Sequence, residues 1–252
     1  MAVTVALTFL SLLLLVAAYR QLMRPWFVAG FFVVGLALMA VNAGRLDLQP
    51  LTWAKVITLA VTMALFLSLP RSGPGFRHVL RHGMVGILFL NILEAIVADA
   101  LGGRWVNAAV GGSLLATLES PSRVGTRDLA GRPAVTYDLP WRWIAAYTAW
   151  NFTVVCANYP LHYLDHAAVL AAPIVAAVLA RDRRLYLEAR GFTLSLYAVV
   201  IVVAIEVLHW PWIPSAPDPA GFYPFLSAVA AALGLWNLVQ RFRPARPEAR
   251  AE

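Results

Sequence analysis

The sequence predicts an all-α, polytopic membrane protein of about nine transmembrane helices, and three observations carry that expectation. Hydrophobic residues make up 61% of the 252 and charged residues 13%, against about half and about a quarter in soluble domains. Apolar runs of about 17–21 residues recur along the chain, each long enough to cross a hydrocarbon core of about 30 Å as a helix. The runs are continuous rather than alternating. Lipid tolerates only backbone paired within a helix or a closed barrel, and the absence of alternation favours helices.

Taken in order, the spans are expected at 3–19, 26–43, 51–69, 83–101, 105–118, 143–159, 164–180, 191–209 and 221–240. The first has no basic residue ahead of it, so it is not read as a cleaved signal peptide. The second closes on Asn42, with Arg45 and Asp47 just beyond. The fourth, GILFLNILEAIVADALGG, carries Asn91, Glu94 and Asp99. The fifth is short and holds Asn107, Gly111, Gly112 and Ser113; it either crosses fully or re-enters inside protein, leaving eight spans.

Basic residues arbitrate. Seventeen of the twenty fall in alternate connections: Arg20–Arg24, Arg71–Arg81, Arg123–Arg142, Arg181–Arg190 and Arg241–Arg250. The other connections hold Arg45, Lys55 and Arg104. The positive-inside rule then puts the first set in the cytoplasm, the N-terminus outside and the C-terminus inside. That alternation requires 105–118 to cross. The net charge of +7 is thus a topology signal scattered over loops, which argues against nucleic-acid binding. Cys156 is the only cysteine, so no intrachain disulfide forms.

A single transmembrane domain over 1–240 follows, with a basic tail at 241–252 near anionic headgroups. LESPSRVGTRDLAGRPAVTYDLP, 118–140, reads as a polar cytoplasmic linker (119–142) rich in Gly, Pro and charge. The outer loop at 210–220 lies in WPWIPSAPDPAGFYP, which has five prolines and two tryptophans. It reads either as a stiff interfacial connection or as a lid over an outward cavity.

Ionisable side chains inside a membrane span are costly and therefore functional candidates. Glu94, with Asn91 one turn earlier on the same face, can carry a proton, bind a cation or act as an acid toward substrate. The alternative is an interhelical hydrogen bond. Span six places Trp143, Tyr147, Trp150, Asn151 and Asn158 on one broad face. They either line a cavity for an apolar or cationic substrate or form a packed aromatic seam. At the start of span seven, YPLHYLDHAAVL sets His162, Asp165 and His166 at i, i+3 and i+4. That spacing can chelate a divalent metal, contact substrate or relay protons, or simply cap the helix start in solvent. Glu206 and His209 lie toward the outside of span eight, and Asp99, Arg104 and Asn107 at the outer ends of spans four and five. The unusual polar residues thus gather in the outer half of the membrane.

NILEAIVAD at 91–99 and WNFTVVCAN at 150–158, with the later run ending in Ala172 and Pro173, resemble a family of bacterial multi-span membrane proteins of unknown function. The resemblance covers about a third of the chain. It implies a bacterial cytoplasmic membrane and singles out Asn91, Glu94, Asp99, Trp150, Asn151 and Asn158; it implies no activity.

Two functions are expected from these residues. One is transport or conduction of a proton, cation or small solute through a site around Glu94, with Asn91, Asn107 and Asn151. The other is a membrane-embedded enzyme on a lipid or isoprenoid, with Glu94 or Glu206 as general acid and a metal or base at His162, Asp165 and His166. No G-x-S-x-G, H-E-x-x-H or paired Asp-rich motif is present. A non-catalytic subunit is a third reading. Membrane lipids and a homo-oligomeric partner are the expected contacts.

Overall fold

The computed structural model describes residues 2–22, 25–42, 50–129, 131–158, 160, 163–201 and 219–243. Over these residues the chain is mostly helical. The helices are α1 (Ala2–Leu22), α2 (Pro25–Asn42), α3 (Pro50–Ser68), α4 (Pro74–Leu101), α5 (Trp105–Ala116), α6 (Trp141–Asn158), α7 (Tyr163–Leu179), α8 (Tyr186–Ile201) and α9 (Tyr223–Phe242). Three begin on proline, whose fixed φ suits a first helical turn and whose missing N–H costs nothing there.

The described helices follow the apolar runs with two early starts: α8 begins at Tyr186 rather than at 191, the part of that span beyond 201 lying outside the described residues, and α4 shifts further. α4 starts at Pro74 rather than at 83. Its first turns, PGFRHVLRHG, are polar but still helical, so the helix extends beyond its apolar run.

The larger correction concerns 118–140. It is not a linker, and the chain is not purely α. Strands β1 (Val124–Leu129) and β2 (Arg132–Tyr137) pair antiparallel, with Val124 opposite Tyr137 and Leu129 opposite Arg132. Gly131 turns the hairpin at φ +80°, a conformation only glycine takes freely. Its N–H is held by Asp128 Oδ1 at 3.0 Å. The hairpin forms because one face finds a core: Val124, Val135, Tyr137 and Leu139 are fully buried with the main hydrophobic cluster. The Tyr137 hydroxyl also donates to the Glu119 carbonyl.

That core is built on Trp143, Trp150, Tyr19, Tyr186, Met84, Ile92 and Leu114. α6 packs on α9, α1 on α7, α7 on α8, and α5 on both α4 and α9. α5 comes close because Gly111 has no side chain: a Cβ there would lie 2.5 Å from Ile96 and 2.8 Å from Trp150.

Two ends use the same terminating motif. After α4, Arg104 N–H bonds the Asp99 carbonyl and Gly103 N–H the Ala100 carbonyl, with Gly103 at φ +73°. After α7, Asp182 N–H bonds the Ala177 carbonyl and Arg181 N–H the Val178 carbonyl, with Arg181 at φ +52°. Both are Schellman ends, and glycine is the usual occupant of the left-handed position.

Among the described residues, α4 and α9 are long and apolar enough to cross a membrane. Both turn large apolar side chains outward: Phe89, Leu90, Leu93 and Val97 on α4, and Phe225, Leu235, Trp236 and Val239 on α9. α1 does the same with Phe9, Leu10, Leu13 and Leu14.

Candidate functional site

One group of polar residues, with Asp99 and Asn107 fully buried, lies where α4 turns into α5, beside the end of α6 and the start of α9. The Schellman turn brings Arg104 back over the last turn of α4. Its Nε donates to Asp99 Oδ1 at 2.7 Å, and the Asp99 side chain is fully buried. Arg104 Nη2 reaches across to Asn158 Oδ1 on α6 at 3.0 Å, and Asn158 Nδ2 donates to its own helix at Val154 O. Asn107, in the first turn of α5, neighbours the Asp99 carboxyl. It donates from Nδ2 to the Tyr223 hydroxyl at 3.2 Å. Trp150 Nε1 fixes α5 by donating to the Asn107 carbonyl at 2.9 Å.

Two acceptors in this node are short of hydrogen bonds among the described residues: Asn107 Oδ1 has no donor, and Asp99 Oδ2 has at most the Asn107 amide beside it. Asp99 is 0% and Asn107 1% exposed. An unpaired buried acceptor costs about 1–3 kcal/mol. Arg104 offsets the Asp99 charge, so the node is close to neutral and poised to accept hydrogen bonds.

Of the expected site residues, Asp99, Asn107, Trp150 and Asn158 thus come together. Arg104 and Tyr223 complete the node. Asn91 faces elsewhere: it accepts from Thr58 Oγ1 at 3.2 Å and donates to Ile87 O, tying α4 to α3. Glu94 is half-buried on α4. Trp143 and Tyr147 stack with centroids 4.8 Å apart, and Trp143 Nε1 donates to the Leu114 carbonyl. Their rings form a packed seam against α5 and the core. Asn151 bonds back to Tyr147 O.

His162, Glu206 and His209 lie outside the described residues, as does the side chain of Asp165. His166 Nδ1 is 3.3 Å from the Tyr197 hydroxyl, with the two rings edge to face. Among the described residues no three His, Cys, Asp or Glu side chains cluster as a metal site.

A second polar region, around the hairpin, was not anticipated. Glu188, in the first turn of α8, is buried and accepts from Arg132 Nη1 at 2.9 Å and from the Tyr19 hydroxyl at 3.0 Å. The Arg132 guanidinium also lies 5.2 Å over the Tyr19 ring. Asp182 takes Arg184 Nε at 2.9 Å and Arg127 Nη1. Burial alone would raise the Asp182 carboxyl, but the hydrogen bonds from Arg184 and Arg127 outweigh it and hold it at about 2. Asp138 is shared by Arg183 at 3.0 Å and Arg123 at 3.7 Å. These arginines, counted from the sequence as loop charge, are largely paired.

Comparison with protein-family models, with curated proteins and with solved structures finds no match.

Proposed function

We propose that this chain is a multi-pass protein of nine spans that passes a proton or a small hydrogen-bond-donating solute through the node at Asp99 and Asn107. Its N-terminus lies outside, and its hairpin and C-terminal tail lie in the cytoplasm. The resemblance at 91–99 and 150–158 points to a bacterial cytoplasmic membrane. The membrane reading is supported by the large apolar side chains that α1, α4 and α9 turn outward and by the length and hydropathy of α4 and α9. The orientation is supported by the alternation of basic loops.

The transport reading rests on one observation: two buried oxygens, Asp99 Oδ2 and Asn107 Oδ1, are short of hydrogen bonds within a node that joins four helices. Charge narrows what they take. A bare cation at Asp99 would sit near the Arg104 guanidinium. At about 5 Å and an effective dielectric of about 20 the repulsion is about 3 kcal/mol. A neutral solute offering N–H or O–H groups meets no such penalty, whereas a proton on the carboxylate, like any cation, has to overcome the Arg104 charge. Glu94, five residues earlier on α4 and about 7.5 Å of helix rise away, is the next ionisable group on that helix.

Purified protein in vesicles tests this. Pyranine-loaded vesicles report proton flux, and light scattering reports entry of small polyols and amides. Asp99→Asn and Asn107→Ala should each cut the active flux at least tenfold, and Glu94→Gln should abolish it if the route continues along α4. Wild-type flux in Asn107→Ala would end the proposal. Orientation is tested separately by Thr126→Cys and Pro160→Cys in a Cys156→Ala background. The first should be labelled only from the cytoplasm and the second only from outside.

A further inference from the structure

We propose that the cavity between the end of α7, the Arg183–Leu185 turn and the start of α6 binds a phosphate-bearing anion, its occupant being the headgroup of an anionic phospholipid. The cavity measures about 600 Å³ and its lining includes Asp138, Trp141, Arg181, Asp182, Arg183 and Arg184, a size that suits a small ligand.

Its charge is not balanced from within. Arg123 and Arg183 share Asp138, and Arg127 and Arg184 share Asp182. Within the lining, three arginines (Arg181, Arg183 and Arg184) face two aspartates (Asp138 and Asp182). Arg181 has no hydrogen-bond or ion-pair partner among the described residues and is exposed. Guanidinium groups grouped in this way match the oxygens of a phosphate, which they bind in pairs.

The backbone of Arg181 makes the stronger argument. It occupies the left-handed position of a Schellman end at φ +52°, where a side chain is disfavoured. The same motif after α4 holds Gly103 there. Arginine at a glycine position disfavours the empty fold, and the one-arginine excess of the lining does so again. A bound dianion or phosphodiester reverses the second effect.

The rim identifies the lipid. Val178 and Leu179 are more than half exposed, and Trp141 is 42% exposed. Arginines inside an apolar, tryptophan-bearing lip fit a headgroup whose acyl chains leave along α7. The anion chemistry stands on the arginines alone. The lipid source rests on the proposed membrane insertion.

The test uses the full chain in a non-ionic detergent, titrated calorimetrically with dihexanoylphosphatidylglycerol, dihexanoylphosphatidylcholine and inorganic phosphate. The phosphatidylglycerol should bind and the phosphatidylcholine should not. Arg181→Gly should weaken binding at least tenfold while the melting temperature stays equal or rises, because glycine relaxes the backbone. Arg181→Lys should retain part of the affinity. Phosphate binding as tightly as the lipid, and lost in Arg181→Gly, would support the anion site and overturn the lipid source. Equal binding of both lipids, no binding of either anion, or undiminished binding by Arg181→Gly would overturn the site.

Discussion

Glu188→Ala should be among the costliest single substitutions around the hairpin. The carboxylate is 2% exposed and accepts from Arg132 at 2.9 Å and Tyr19 at 3.0 Å. Removing it leaves the Arg132 side chain, only 14% exposed, without a counter-charge. Breaking a buried pair from one side costs about 3–5 kcal/mol. The orphaned Tyr19 hydroxyl adds about 1 kcal/mol, so the expected loss is about 4–6 kcal/mol. The exposed pair between Arg241 and Glu119, 3.2 Å apart, sets the contrast: Arg241→Ala should cost about 0–1 kcal/mol. Denaturation of the full chain in mixed micelles, followed by circular dichroism, measures both. A cycle with Arg132→Ala isolates the pair, and the double variant should cost about 2 kcal/mol less than the sum of the singles. An additive cycle, or a Glu188→Ala cost below about 1 kcal/mol, would refute the reasoning.

Three further outcomes are expected. Gly111→Val should cost about 1–3 kcal/mol by overpacking, because even a Cβ meets Ile96 at 2.5 Å, whereas Gly112→Ala, which meets nothing within 4 Å, should be tolerated; comparative melting checks both. The Asp182 carboxyl, held at about 2 against about 3.9 in an unfolded chain, stabilises fully above about pH 4, and that contribution fades as pH falls toward 2. Asp182→Asn should flatten the stability profile across that window. Replacing 124–137 with a Gly/Ser segment of equal length should leave little folded protein by size-exclusion chromatography, since Val124, Val135 and Tyr137 lose their places in the core; a fully folded product would restore the linker reading.

The helices were legible because apolar runs and proline starts are local signals. The first turns of α4 were not, since helix continues through PGFRHVLRHG after hydrophobicity stops. The hairpin was hidden for another reason. Its strands have six residues each, one begins Arg132–Pro133, and its buried face is decided by docking rather than by alternation. Gly131, at φ +80°, was its local cue. In the site, Asp99, Asn107 and Asn158 stood out as polar groups in apolar runs, and the node joins them. Tyr223 did not stand out, because a tyrosine beside a membrane interface is ordinary, and only the packing of α5 on α9 makes it a partner. Arg132 and Glu188 are 56 residues apart, and no spacing rule links a hairpin arginine to a helix carboxylate.

The Tyr19–Glu188–Arg132 contact also sets an order of synthesis. Both partners of Glu188 leave the ribosome before it does. At about 5–20 residues per second, Arg132 waits several seconds for the carboxylate that will neutralise it, and Tyr19 waits longer still. Through that interval the hairpin can pair its strands but cannot seal against α8. The contact that ties the first helix, the hairpin and the eighth helix together therefore cannot form until Glu188 has been made.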